Sequence, residues 1–387
     1  MLIQRISLHA TLKGLAADEQ MQVLIPWLSA HRHAHPAGLM ATRRSIELKS
    51  VFDREPFMNQ EEHLGAADLA LLQLGRRLQA DGYRFITPTP LTHQRVNDRS
   101  FGQNARTLRE VFGWSRPFEP GLLSVDEQRQ LQQAGVLDEC NGRLKSHVRW
   151  SSLDDLLFVH SGYPTDAADA VFFGPDTYRF AQLIHAHLQQ SFAPIRRAVD
   201  IGCGAGVGAI VIARARREAE VLAVDINPLA LRMTAVNVAL AEVANVSIEA
   251  SDVLQDIDGQ FDLIVANPPY MADPAERAYR HGGGALGAQL SLRIVEQALY
   301  RLAPGGSLVL YTGVAMIDGL DPFLDAVTPR LESPMFGWTY HELDPDVFGE
   351  ELLTPGYQRV ERIAVVALIV TRIGPGIGGT VTSAGVP

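Results

Sequence analysis

The chain has 387 residues, 47% of them hydrophobic and 20% charged, a globular composition that excludes global disorder. No apolar run approaches the roughly 18 residues of a membrane span, and the longest candidate, Ile363 to Val370, has strand length. The net charge of −10 is uneven. Residues 1–190 hold 20 Lys and Arg against 21 Asp and Glu, and residues 191–387 hold 14 against 23, so neither half has the basic excess that extended nucleic acid calls for.

The N-terminus carries no charged, apolar and cleavable segments in sequence, so nothing argues for export. The first zone, residues 1–60, is an N-terminal extension. Met21, Leu24, Ile25 and Leu28 repeat at helical spacing and suggest a helix over residues 18–30. His31, His33 and His35 follow without an acidic or cysteine ligand beside them, so a polar loop is expected rather than a metal site. Residues 61–165 form a mainly helical second zone. Leu64, Leu69, Leu71, Leu72, Leu74 and Leu78 lie on a helix ending near Asp81-Gly82, and Ser124-Val-Asp-Glu127 is a capping box with Gly135 as the helix stop. A hairpin turns at Asn141-Gly142 and runs on through Val148 and Trp150. Helix, helix, hairpin is the order of a winged-helix module, which serves nucleic-acid binding, a substrate lid or a dimer contact. The two cysteines, Cys140 and Cys203, make no disulfide framework, so a reducing cytoplasm is expected.

Residues 170–372 alternate strands and helices. Strands are expected at Ala198–Ile201, Val221–Asp225, Val246–Ala250, Leu263–Ala266, Ser307–Tyr311, Thr339–Leu343 and Ile363–Val370, with helices at Gly206–Ala215, Pro228–Ala241 and Ala288–Leu302. This pattern implies a doubly wound, Rossmann-like seven-stranded α/β sheet. The last two strands have no long helix between them and form an antiparallel edge hairpin. The tail, residues 373–387, is rich in Gly, Thr and Ser and is expected to be flexible.

Ligands of an open parallel sheet bind beyond the carboxyl ends of its strands. The first strand ends Asp200-Ile-Gly202-Cys203-Gly204-Ala-Gly206, where glycines let backbone approach a ligand. Such a turn also fits dinucleotides, although the third, more distant glycine of that fingerprint is missing. The second strand ends Asp225-Ile226-Asn227, and an acid there accepts both hydroxyls of a ribose. The third is followed by Ser251-Asp252-Val253, where an acid can accept from an adenine amino group. The fourth strand runs into Asn267-Pro268-Pro269-Tyr270.

These motifs, in this order, resemble the class I S-adenosylmethionine-dependent methyltransferases, and among them the Asn-Pro-Pro-Tyr group that modifies planar nitrogens of adenine, guanine or the release-factor glutamine. The resemblance covers about residues 170–372. Phe172 to Tyr178 and Gly282 to Gly287 also resemble segments those enzymes fold over the cofactor, although the second departs from the release-factor enzymes' usual acidic version. The resemblance implies S-adenosyl-L-methionine as cofactor, held by Asp200, Gly202, Cys203, Gly204, Gly206, Asp225, Ile226, Asn227, Ser251, Asp252, Val253 and Asn267. It implies catalysis by Asn267 and Pro268, whose oxygens draw the hydrogens of a delocalised NH₂ outward. Tyr270 would stack on a flat substrate, and Tyr178 or Tyr270 is an alternative stabiliser of the sulfonium. No metal is needed. The acceptor is RNA, a protein glutamine or a small molecule. Two other readings stay open: ring closure of S-adenosylmethionine to azetidine-2-carboxylate with release of methylthioadenosine, and a non-catalytic binding module of the same fold.

Overall fold

The computed structural model describes residue 61 and residues 64–99, 104–191, 193–273, 275–284 and 286–374. The helix expected over residues 18–30, the three histidines and residues 375–387 lie outside them.

The described chain opens with helices α1 (Ala66–Ala80), α2 (Pro90–Asn97), α3 (Leu108–Phe112) and α4 (Val125–Gln133). The capping box forms: Ser124 accepts from the Glu127 amide while Glu127 accepts from the Ser124 amide. Two hairpins follow, β1 (Leu137–Cys140) with β2 (Arg143–Ser146), and β3 (Val148–Leu153) with β4 (Leu156–Ser161). The single strand expected through Trp150 is therefore broken at His147. Its amide donates to Val136 and its carbonyl accepts from Gly162, which turns the chain out of the first ladder and into the second.

The rest of the chain builds one seven-stranded sheet from β5 (Arg197–Ile201), β6 (Glu220–Asp225), β7 (Val246–Ala250), β8 (Phe261–Ala266), β9 (Leu302–Ile317), β10 (Phe336–Asp344) and β11 (Val360–Arg372), in the order β10-β11-β9-β8-β5-β6-β7. β5 pairs in parallel with β6 and β8, as β6 does with β7 and β8 with β9, and β11 runs antiparallel between β9 and β10. The edge hairpin expected from the missing helix is thus present. Strands β5 and β8 are apolar on both faces because helices cover both. These helices are α5 (Pro175–Gln190), α6 (Val207–Ala215), α7 (Pro228–Leu240), α8 (Gln289–Arg301) and α9 (Pro322–Leu331).

The helical segment shares an apolar cluster with one face of the sheet, from Leu72 and Trp150 to Ala209 and Val236. Gly75 permits this. A Cβ there would lie 2.7 Å from the Trp150 ring and 2.9 Å from Leu240. Asn237 completes the junction, accepting from the Val159 amide at 2.8 Å and donating to the carbonyls of Val159 and Ala205. The strand ends that carry the site are thereby fixed to β4. Among the described residues no helix is long and apolar enough to cross a membrane.

Candidate functional site

A cavity of about 440 Å³ opens at the carboxyl ends of β5, β6, β7 and β8. On one side the chain after β5 turns through Gly202, Gly204 and Gly206, all at positive φ. The amides of Gly202 and Cys203 donate to the Val224 carbonyl, so this turn is stitched to the next strand. Asp225 accepts from the amides of Gly204 at 3.0 Å and Asn227 at 2.9 Å, one on each carboxylate oxygen. Burial nevertheless holds its pKa above the usual carboxylate range. Asp200 is 1% exposed and accepts from the Ala209 amide at 2.9 Å. Burial first, and the charge of Asp225 second, push its pKa up to about 7. Gly208 makes room for it, since a Cβ there would sit 2.7 Å from the carboxylate.

Ile226, 65% exposed, stands beside Asp225 in the cavity. Asn227 caps α7 through Leu229 and donates to the Asp169 carbonyl at 2.7 Å. The Ser251 hydroxyl is buried with no hydrogen-bond partner among the described residues, an orphaned polar atom in a cavity wall that a ligand would satisfy. Asp252 is bridged to Arg293 at 2.7 Å, and both line the cavity. Val253 has φ +58°, a costly conformation for a β-branched residue. Cys203 is buried, its thiol pushed well up by burial and held against Thr234 at 3.4 Å, so it is no nucleophile. Two acids, glycine cradles and a spare hydroxyl fit a nucleoside with a cationic tail.

The other side is the loop after β8. Asn267 is half-buried and lines the cavity, and no described residue bonds its side-chain amide. Pro268 and Pro269 fix the φ angles beside it. The loop is backed by the glycine segment. A Cβ on Gly282 would meet the Pro269 carbonyl at 2.5 Å, and one on Gly287 the Tyr270 carbonyl at 2.2 Å. Tyr270 is 8% exposed, and its hydroxyl donates to Asp176 at 2.5 Å. The Tyr311 hydroxyl donates to the other oxygen of Asp176 at 2.8 Å, and Arg179 ties the same carboxylate to Asp344. Burial pushes the Tyr270 hydroxyl well above its ordinary value, so it stays a donor. Phe172 and Tyr279 stack across the rim at 5.7 Å, and the Ala278 amide donates to Ala168 at 3.0 Å.

The cavity thus gathers Asp200, Gly202, Cys203, Gly204, Asp225, Ile226, Asn227, Ser251, Asp252, Val253, Asn267, Pro268 and Tyr270. Two expected residues stand elsewhere. Gly206 opens α6 with a missing Cβ that would strike Thr234 at 2.8 Å, a packing role. The Tyr178 hydroxyl accepts from the Thr87 amide at 3.0 Å and its ring packs edge-on against Phe173, outside the cavity. The expected stacking role of Tyr270 is also corrected. A Cβ on Gly313 would lie 2.2 Å from its ring, so that side of the ring is covered by backbone. Asp176, Tyr311 and Gly313 carry no local motif that marks them as its supports.

The model of the methyltransferase small domain matches residues 169–316. The release factor glutamine methyltransferase of Koribacter versatilis is 32% identical over 245 residues, covering 59% of this chain and 79% of that protein. That of Deinococcus radiodurans is 34% identical, over 48% of this chain and 66% of the other. Ribosomal RNA small subunit methyltransferase C of Haemophilus influenzae is 34% identical over 112 residues, 29% of this chain and 31% of that one.

Proposed function

Because the chain belongs to the class I S-adenosylmethionine-dependent methyltransferases, we propose that it is an N-methyltransferase whose acceptor presents a planar NH₂ group to Asn267. The observation that carries the reading is a single cavity lined by Asp225, Ser251 and Asp252 on one side and by Asn267 and Pro268 on the other. Two relatives differ in acceptor, a release-factor glutamine and ribosomal RNA, and the glutamine amide nitrogen has the delocalised lone pair this chemistry addresses.

Asp225 keeps a lone pair on each oxygen for ribose hydroxyls after accepting two amides. Ser251 and Asp252 are the polar groups beside an adenine, with Ile226 as apolar wall. Bound here, S-adenosylmethionine supplies an already activated methyl group. The chain's own part is alignment and charge stabilisation. Asn267 Oδ1 and the Pro268 carbonyl accept the two hydrogens of the acceptor nitrogen and turn its lone pair toward the methyl. As the bond forms, positive charge grows on that nitrogen, and both oxygens stabilise it. The two prolines, the glycine segment and the Asp176–Tyr270 bond hold those oxygens still, so no reorganisation is spent at the moment of transfer. We assign acceptor selection to the helical segment of residues 61–165, whose Pro90 reaches the cavity wall.

The test is mass spectrometry of the purified protein with S-adenosylmethionine, alone and with cell extract. S-adenosylhomocysteine that forms only with extract is expected. Methylthioadenosine formed without any second substrate would replace the reading with ring closure.

A further inference from the structure

The arginines of the helical segment are distributed unlike those elsewhere. Arg84, Arg95, Arg99, Arg106 and Arg109 are all exposed, and none forms an ion pair with a described acid. Many exposed arginines elsewhere are paired, as in Arg214–Asp155, Arg232–Asp68, Arg330–Glu296 and Arg359–Asp318. Four of them, Arg95, Arg99, Arg106 and Arg109, are neighbours in space, whereas Arg84 turns to the Asp154 carbonyl. Arg109 lies 5.2 Å over the Phe85 ring, and Phe85 packs against Trp114 at 5.3 Å. The Trp114 carbonyl accepts from Asn97, which sits between Arg95 and Arg99 in the chain. Asn97 in turn accepts from Arg116, whose guanidinium binds Glu110, and Glu110 caps the Arg106 amide. Glu110 is therefore spent on buried Arg116, and Asp98, which ends α2, is the acid left beside it to oppose four cations.

From these contacts we propose that this arginine face docks the phosphate backbone of an RNA acceptor, a deepening that rests on the N-methyltransferase reading. The even charge count of residues 1–190 hid it, because the balancing acids lie on other surfaces. The face leads to the site. Helix α2 begins at Pro90 in the cavity wall, and Arg95 follows about 8 Å along the helix axis. All four cations are arginines, whose planar forks match phosphate oxygens two at a time. Among the described residues Ile86 is the one large apolar side chain exposed near them. A protein partner would be met by an apolar core with a polar rim, whereas phosphate contacts need only cations. The acidic remainder of the chain repels a polyanion and so confines it to this face.

The experiment uses the full chain and a fluorescein-labelled, mixed-sequence RNA of about 20 nucleotides, with binding followed by anisotropy from about 50 to 200 mM KCl. Arg95→Glu/Arg99→Glu and Arg106→Glu/Arg109→Glu should each weaken binding about tenfold or more at the lowest salt and flatten the salt slope by about one unit or more. Arg359→Glu, a reversal outside this face, should bind RNA as the unaltered chain does. The proposal is overturned if RNA fails to bind at about 50 mM salt, if the salt slope is the same in all variants, or if polyglutamate competes as well as RNA, in which case the face takes an acidic protein. Coproduct analysis in the same preparations keeps the two levels apart. S-adenosylhomocysteine formed from extract without RNA affinity removes the docking face and leaves the methyltransferase reading, while methylthioadenosine removes the reading itself.

Discussion

The two buried acids of the cofactor side are held by backbone amides of nearby turns, and Tyr270 on the acceptor side is held by side chains far away in the chain. Asp225 is bound by Asn227, two residues on, and by Gly204 on the adjacent strand's turn, while Asp200 is met by Ala209. Tyr270 is held by Asp176, 94 residues away, and Asp176 is held in turn by Tyr311, 135 residues from it. Backbone amides fixed by a strand–turn–helix unit make one wall, and buried side chains from α5, the loop after β8 and β9 make the other. The first arrangement survives wherever the local turn is kept. The second depends on three elements arriving together, which lets it carry the acceptor oxygens with little freedom and makes it sensitive to distant changes.

The sharpest way to break the symmetry between the two walls is to remove Asn267. Asn267→Ala should lower turnover about 10² to 10³-fold, the usual cost of one preorganised transition-state hydrogen bond. Asp225→Ala should act on the other wall, weakening S-adenosylmethionine binding by about 2–3 kcal/mol in calorimetry, the range for hydrogen bonds to a charged group. Affinity unchanged in that variant would take Asp225 out of the site. Asp176→Asn should lower kcat about tenfold at unaltered cofactor affinity, because it weakens the anchor of Tyr270 without touching the cofactor wall. In the Tyr270→Phe background the same substitution should cost much less, and additive losses would show that Asp176 does not act through Tyr270.

A separate effect is one of stability. The Asp200 carboxyl has a value of about 7 in the folded chain, above its ordinary one, so the folded state holds the proton more tightly than the unfolded state. Stability is therefore lost as pH rises from about 4 to 7, and the loss is complete above that. Asp200→Asn escapes this cost. Its melting temperature relative to the unaltered chain should rise between pH 5 and 8, by an amount equivalent to at most about 3 kcal/mol. A difference independent of pH would contradict the buried-charge account.

The same contrast explains what was legible in the sequence. The strands and their order of motifs follow from short apolar runs ending in Asp200, Asp225 and Asn267, because each motif is local to one strand end. The edge hairpin followed from the missing helix between Leu343 and Ile363. Helix α5 was not legible as a helix. Its buried stripe of Phe180, Ala181, Ile184 and Leu188 is diluted by polar neighbours, and its first turn was read as a cofactor-covering segment. The β3–β4 hairpin was missed because its turn is Asp154-Asp155, with Asp154 at φ +54°, rather than an Asn-Gly pair. Tyr178 and Tyr270 were read as aromatic faces. Whether a face is free depends on what lies across it, here Phe173 and Gly313, and nothing local announces either partner. Net charge is silent on placement in the same way, since a count by halves averages exposed arginines with acids elsewhere.

The central claim is that one wall binds and the other activates. The most direct measurement is isothermal titration of S-adenosylmethionine into Asn267→Ala, made on the same preparation in which turnover is lost. The account predicts an affinity within about threefold of the unaltered chain beside the loss of activity, because the Asn267 interaction is stronger in the transition state than in the ground state. A fall in affinity that matches the fall in turnover would contradict it, and would make Asn267 part of the cofactor wall.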